Sequence, residues 1–446
     1  MEWYIALFFL LGTVLVFMFI GLPVALAFLA ANIVGAVVFM GGSGDLAMQM
    51  SRGMIQLSTN AIRTVTTFNL VPVPMFLLMG EFFFYTGLAN RMFNAIERLM
   101  GRLPGRLSYV TVAGGTAFAT LSGSSMGSTA LLGSLMVPEM VKRGYKKHMA
   151  IGPILGTGGL AMMIPPSALA VLLATLAQLD VGALLIAGIM PGLFLACMYA
   201  VLIYVQCRLD PDAAPYYEVE IIPVNERLKL IAFDIFPMFS IVVGVILLIM
   251  NGWATPSESA AFGCLGVLVL ATIYRVLTWD AFVKSIIGAL RVTLMALLII
   301  IGSATFSKLL AFSGASSGLI LWATGFDLAP LVMLLVMFGI LLILGMFMDQ
   351  LSMMLLTVPI FFPLALDVLH FDPIWFGVIV LLALEISFTT PPFGLLLFVM
   401  KGVAPPGTTM REIYVSAIPY MACAIVLVGL LIVFPEIALW LPSLSK

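Results

Sequence analysis

Charge is what this chain has least of. Only 9% of its 446 residues are Asp, Glu, Lys or Arg, 20 basic against 21 acidic, far below what a soluble chain of this length uses to solvate its surface. The formal net charge of -1 is spread too thinly to identify a partner, and nucleic acid is not indicated. Histidine occurs only at His148 and His370, too far apart for a metal cluster. The four cysteines, Cys197, Cys207, Cys264 and Cys423, show no C-x-x-C spacing, which argues against a disulfide framework or a zinc site. No Gly-Lys dipeptide occurs anywhere, so a Walker A phosphate loop is excluded and the chain does not itself hydrolyse ATP. No cofactor is called for. No polar stretch is long enough for an attached soluble domain.

What is there is apolar. Hydrophobic residues make up 63% of the chain and the mean hydropathy is +1.19, which places it among polytopic integral membrane proteins. Runs near the ~20 residues that cross a bilayer fall at 4–20, 22–40, 68–86, 184–206, 230–250, 259–276, 287–306, 328–346, 374–388 and 415–434. They predict roughly ten spans with shorter broken segments between them, an all-α fold. The opening "MEWYIALFFLL" has an acid where a secretory signal carries basic residues, so the first span is expected to stay as an anchor.

The segment 207–229, "CRLDPDAAPYYEVEIIPVNERLK", is the longest polar stretch and divides the chain into halves 1–206 and 230–446. The halves resemble each other. Gly80 pairs with Gly302, Pro138 with Pro359, and Pro165-Pro166 with Pro391-Pro392, at offsets of 222, 221 and 226. Three landmarks holding nearly one offset are unusual for merely greasy segments. Each half therefore reads as a span, a short broken segment ending in Val-Pro, a turn, a span, a double proline and another helix. The broken segments, 116–138 and 341–363, have small or polar centres and apolar flanks, the pattern of a re-entrant hairpin whose half-helices meet near mid-membrane.

Loop charge gives orientation. Arg91, Arg98, Arg102, Arg106, Lys142, Arg143, Lys146 and Lys147 bracket the first hairpin against three acids, Glu81, Glu97 and Glu139. Around the second hairpin stand Lys308, Asp327, Asp367 and Asp372. The positive-inside rule then opens the first hairpin and the linker to the cytoplasm and the second hairpin to the outside, which makes the repeats inverted. Inverted repeats with broken helices are the architecture of secondary transporters.

The double prolines fit that reading. Proline removes an N–H and clashes with the preceding turn, so each pair unwinds its helix and frees carbonyls that cost several kcal/mol each in lipid if nothing occupies them. A hard cation taking oxygen ligands satisfies them, with Ser122, Ser124, Ser125, Ser352, Thr389 and Thr390 nearby. Helix N-termini restarting near Ser167 and Gly394 would face an anion. The pattern suggests two cation sites flanking one anionic substrate.

The motifs "SGSSMGSTALLGSLMVPEM", "GTGGLAMMIPPSALA", "NGWATPSESAAFG", "GMFMDQLSMMLLTVPIF" and "TTPPFGLLLFV" resemble the large membrane subunit of tripartite ATP-independent periplasmic (TRAP) transporters, over about residues 5–440. The resemblance implies a multi-pass protein of the bacterial inner membrane and an elevator-type secondary transporter of the ion transporter superfamily. It implies sodium-coupled uptake of an organic acid delivered by a periplasmic binding protein. A separate small four-helix membrane subunit is implied as well, because none is fused here. By position, one sodium site would use Ser122, Gly123, Ser124 and Ser125 with Ala161, Ile164 and Pro165. The other would use Gly345, Asp349, Gln350 and Ser352 with Thr389, Thr390 and Pro391. Substrate would lie against Ser125, Ser128, Thr129, Pro166 and Ser167 on one side and Ser352, Pro392 and Gly394 on the other. One departure is the almost wholly apolar "ALAVLLATLA" after Ser167, where family members often carry polar or aromatic residues; it weakens the first-half contribution to substrate selection.

Plainer readings compete at several positions. The Gly and Ser residues of "SGSSMGS" alone would suit close helix packing. Asp349 serves equally well as a cap for the hairpin tip, Glu385 as a buried helix lock, and Glu81 and Glu258 as residues at helix ends. The basic clusters read as topology determinants. A stand-alone symporter without a binding protein would share the repeat pattern. An intramembrane serine protease is the rival of another class, since "GSSMG" fits G-x-S-x-G and "GSGD" (42–45) fits an aspartyl-protease pattern. It needs a base within reach of Ser125.

Overall fold

The computed structural model describes residues 2–42, 45–66, 70–101, 103–122, 125–215, 222–326, 328–346, 348–392 and 394–445. Gly123, Ser124, the Arg102 and Asp327 of the loop-charge count, and part of "GSGD" lie outside them. Among the described residues every regular element is helical. The first half holds α1 (Trp3–Phe19), α2 (Val24–Gly35), α3 (Leu46–Val65), α4 (Pro72–Tyr85), α5 (Leu88–Leu99), α6 (Arg106–Ser122), α7 (Ser125–Lys142), α8 (Lys147–Gly159), α9 (Ala168–Leu176) and α10 (Val181–Leu209). The second holds α11 (Val224–Leu230), α12 (Phe236–Met250), α13 (Pro256–Ile273), α14 (Trp279–Phe312), α15 (Ala315–Thr324), α16 (Pro330–Gly345), α17 (Gln350–Pro363), α18 (Pro373–Phe388), α19 (Leu395–Val403), α20 (Met410–Val433) and α21 (Glu436–Ser443).

The ten apolar runs all coincide with helices, yet they are not ten equal spans. Among the described residues six helical stretches are long and apolar enough to cross a membrane singly: 181–209, 224–250, 256–273, 279–312, 350–368 and 410–433. Runs 4–20, 22–40, 328–346 and 374–388 are shorter apolar helices, and α4 bends by 65° into α5. The bend falls at Gly87, whose φ of +76° suits glycine. Hydropathy could not separate these cases because it measures polarity, not whether a helix continues.

Both broken segments are longer than expected. The first consists of α6 and α7, packed on each other on either side of residues 123–124, and the second of α16 and α17 around residues 346–349. The Val-Pro steps do not end them. Pro138 lies inside α7 and Pro359 inside α17, because a buried helix whose neighbours hold it can bear one missing hydrogen bond. The linker is also narrower than 207–229, since α10 runs to Leu209 and α11 begins at Val224. It sits on the same face as the basic loops. Lys146 pairs with Asp210, Arg91 with Asp234, and Arg98 with Glu226 at 3.5 Å. The Lys146 ammonium holds the Asp210 carboxyl below its ordinary range.

Two helices sit at the centre. Every residue of α8 from Met149 to Gly159 is buried, as is every residue of α18 from Trp375 to Phe388; helices apolar on all sides belong inside. They are the two helices that lead into the double prolines. Glycine lets the others close on α8. A Cβ at Gly152 or Gly156 would stand 2.5 and 2.6 Å from the Tyr420 ring of α20, the small-xxx-small arrangement of membrane helix contacts. Similarly, Gly188 of α10 lies directly over the Met163 carbonyl, and Gly345 over the Ser387 side chain. Around this core, α4 packs on both α13 and α14 as a wall, joined by α2 and α3 through α14.

Gly188→Ala would force backbone apart and is expected to cost about 1–3 kcal/mol, as overpacking does. Gly339→Ala, where a Cβ meets nothing within 4 Å, should leave the detergent-solubilised protein's thermal midpoint nearly unchanged. Equal midpoints for the two variants would contradict the close approach of α10 to the first break.

Candidate functional site

The chain leaves its helical path twice, at 163–167 after α8 and at 389–394 after α18. The Pro165-Pro166 and Pro391-Pro392 bonds are both cis. Helices restart beyond each break: α9 is capped by Ser167, whose hydroxyl accepts from the Ala170 N–H at 3.2 Å, while α19 begins after Gly394 with no side-chain cap. Ala161 and Ile164 are buried, as are Thr389 and Thr390.

The turn 160–162, which holds Ala161, packs against both arms of the first hairpin, α6 and α7, while the Ile164 side chain lies against Gly192 of α10. Thr129 of α7 crowds Gly158 of α8. On the other side, Gly345 rests on Ser387 just before Thr389. The two systems also meet, because the Gln350 side-chain amide donates to the Met162 sulfur at 3.2 Å across 188 positions of sequence.

Several hydroxyls in this region differ in what they do. The Ser125 and Thr129 hydroxyls are buried with no hydrogen-bond partner among the described residues, a costly condition that marks a group awaiting a ligand or water. Thr389 and Thr390 instead both donate to the Ile386 carbonyl, at 3.0 and 2.7 Å, which leaves their oxygen lone pairs free to accept. Ser352 donates to Asp349.

Asp349 is the N-cap of α17. One carboxylate oxygen accepts from the Leu351 and Ser352 N–H groups at 3.1 and 3.3 Å, which favours the capping role for this side chain. Glu385 is fully packed: Tyr199 of α10 donates to it at 3.4 Å, and Gly159 of α8 lies against its methylenes. Its second oxygen and the Tyr420 hydroxyl have no partner among the described residues. The space between them, about 10 Å³, is also lined by Thr389 and is no larger than one water. The expected helix lock is therefore present, next to the second break. Glu258 is the third residue of α13 in a capping box with Thr255, as a helix-end acid should be. Glu81 is not at a helix end. It lies within α4, with its carboxylate 2.7 Å from where a Cβ at Gly288 of α14 would stand.

A cavity of about 160 Å³ joins these parts. Ser125 of the first hairpin, Asp349 and Gln350 of the second, and Phe388 just before the second break line it. Ala168 and Leu172 of α9, Glu81 of α4, and Val292 and Ala296 of α14 line it as well. Ser128, Thr129, Ser352, Pro166, Ser167, Pro392 and Gly394 are not part of its lining; Thr129 and Ser352 stand behind it on α7 and α17. Glu81 was missed as a lining residue. The signal was available, since an acid in an apolar run is functional by default, but the turn after Tyr85 made it read as terminal.

The family model described as "Tripartite ATP-independent periplasmic transporter, DctM component" matches residues 11–437. The C4-dicarboxylate TRAP transporter large permease protein DctM of Pseudomonas aeruginosa is 32% identical over 87% of this chain and 89% of its own length. The ectoine TRAP transporter large permease protein TeaC of Halomonas elongata is 28% identical over 98% and 99%. In fold, the chain is similar to the YdaH transporter of Alcanivorax borkumensis, with a TM-score of 0.63 at 12% identity, covering 88% of this chain and 90% of that one. A multi-pass helical protein with paired hairpin tips and broken helices around one cavity, matched along nearly its whole length, belongs to the DctM component family of tripartite ATP-independent periplasmic transporters.

Proposed function

We propose that this chain is the transport subunit of a sodium-coupled importer of a small organic acid in the bacterial inner membrane, and not an enzyme. It works with a separate small membrane subunit and a periplasmic binding protein that delivers the substrate. The observation that carries this reading is the meeting of both hairpins on one cavity, through Ser125 and through Asp349 and Gln350, beside Ala168 and Phe388, which flank the two helix breaks, with the Ser125 hydroxyl lacking a protein partner among the described residues.

One sodium ion is held by the first tip, Ser122 through Ser125, with carbonyls of Ala161, Ile164 and Pro165. The second is held by Gly345, Ser352, Thr389, Thr390 and Pro391, with Asp349 and Gln350 shaping the tip through the cap and the bond to Met162. Oxygen-only ligation of this kind suits a hard monovalent cation, which has no need of the His, Cys and carboxylate clusters that are absent among the described residues. Sodium binding closes the tips over the cavity and costs less when substrate is present, so ion and substrate move together. The halves are inverted repeats. The hairpins with α8, α9, α18 and α19 slide as an elevator against the wall of α4, α13 and α14, which carries the cavity from one side of the membrane to the other.

The protease alternative lacks its base: the Ser125 hydroxyl has no hydrogen-bond partner among the described residues. The stand-alone symporter is separated by uptake into cells carrying both membrane subunits, which should depend on the binding protein.

Ligands that bind only the folded state raise its stability. The thermal midpoint of the purified protein with its small subunit should therefore be higher in sodium than in potassium at equal ionic strength, and Thr390→Val should shrink that difference whatever it does to the baseline. Equal midpoints in the two salts for the wild type would remove sodium coupling.

Ser125→Ala carries a second, crossed signature. Removing a buried unpartnered hydroxyl should leave the midpoint in potassium unchanged or slightly raised, while the gain from sodium falls. A midpoint lowered equally in both salts would assign Ser125 to packing alone.

A further inference from the structure

The cavity has a charge inventory at odds with a substrate that is only an anion. Among the described residues its lining contains two carboxylates, Glu81 and Asp349, and no Lys, Arg or His. The two are not equivalent. Asp349 is compensated by the N–H groups of the helix it caps and by that helix's positive end. Glu81 sits within α4, about one turn before its C-terminal end and away from its positive N-terminus, and its carboxylate makes no hydrogen bond or ion pair with a described residue. The base on the adjoining stretch of α14, Arg291, is exposed and outside the lining.

A charged acid held against an apolar cavity in an apolar helix is expensive unless a counter-charge arrives. The carboxylate is also held in place. Its neighbour Gly288 leaves room for it and nothing more, with a Cβ there falling 2.7 Å from one carboxylate oxygen, and the Ser285 hydroxyl donates to the Glu81 carbonyl at 3.1 Å. Ser125 lines the same cavity, 5% exposed, its hydroxyl unpartnered among the described residues. The space between is about 160 Å³, room for a small molecule, and much of its lining is aliphatic.

We propose that the substrate is a small zwitterion, with a carboxylate and a cationic nitrogen on a compact apolar body, and that Glu81 recognises the cationic nitrogen. This deepens the reading of the cavity as the substrate site and rests on it. The substrate carboxylate faces the sodium-bearing tips at Ser125, and the nitrogen faces α4. A dicarboxylate of the same size would place a second negative charge against Glu81, a repulsion that serves as selection against it.

The test uses the purified complex of this chain with its small subunit, in saturating sodium, and follows the thermal midpoint. Two zwitterions are compared with their uncharged-carbon counterparts: L-proline with cyclopentanecarboxylate, and glycine betaine with tert-butylacetate. Succinate is the dicarboxylate control. At least one zwitterion should raise the midpoint while its counterpart and succinate do not. Glu81→Gln should weaken that zwitterion's apparent affinity about tenfold or more, the scale of a lost charged contact, and keep the sodium-against-potassium difference. Gly288→Ala, which displaces the carboxylate without changing its charge, should weaken it less, and Glu81→Asp provides a charged variant if the glutamine form does not fold.

The proposal is overturned if succinate or a matched carboxylate stabilises the wild type as well as the zwitterion does, if Glu81→Gln keeps the zwitterion response, or if sodium shifts the midpoint and neither zwitterion does. Loss of the sodium difference in the wild type would count against sodium coupling instead, and a zwitterion response that still required Glu81 would leave the charge recognition standing.

Discussion

A bilayer offers backbone N–H and C=O groups no water, so a helix can be broken inside it only where protein or a ligand takes over the lost hydrogen bonds. The rest of this structure follows from that constraint. The breaks at 163–167 and 389–394 are placed at the ends of α8 and α18, helices buried along almost their whole length. Each break is then covered by a hairpin whose own tip needs covering. The two defects shield each other, and the cavity is what remains between them and the wall of α4 and α14.

Close approach is what makes the shielding complete. Gly158 admits Thr129, Gly159 admits Glu385, Gly188 admits the Met163 carbonyl and Gly345 admits Ser387. In water such residues would add little, since apolar side chains there are driven together anyway. In lipid, where tails solvate a leucine as well as a neighbouring helix does, short distances supply dispersion and polar contacts that association otherwise lacks. The abundance of glycine beside the broken segments is thus part of the same design as the prolines that break them.

Polar groups are used sparingly and each has a local task. Thr255 and Thr409 begin α13 and α20 with capping boxes, Asp349 caps the second tip, and Tyr199 ties Glu385 to α10. Buried hydroxyls without a protein partner among the described residues stand at Ser125 and Thr129 of the first hairpin and also at Ser259 of α13 and Thr293 and Thr305 of α14. Of these, Ser125 lines the cavity together with Glu81, where a ligand can complete it.

The sequence by itself determined the class, through 63% hydrophobic residues, and the positions of the two breaks, because adjacent prolines remove two N–H groups from one turn, whereas single prolines such as Pro138 and Pro359 stay inside helices that their neighbours hold. It also held the landmarks Gly80 and Gly302, Pro138 and Pro359, and the two double prolines at nearly one spacing. Which runs are spans and which are hairpin arms was decided by tertiary structure: run 328–346 became the first arm of a hairpin because it turns back on α17. So was the fate of two acids. Asp349 caps the helix that starts at the next residue, a local role legible in the sequence, whereas the places of Glu81 at a cavity and Glu385 in the core depend on partners brought from far along the chain, Gly288 and Tyr199.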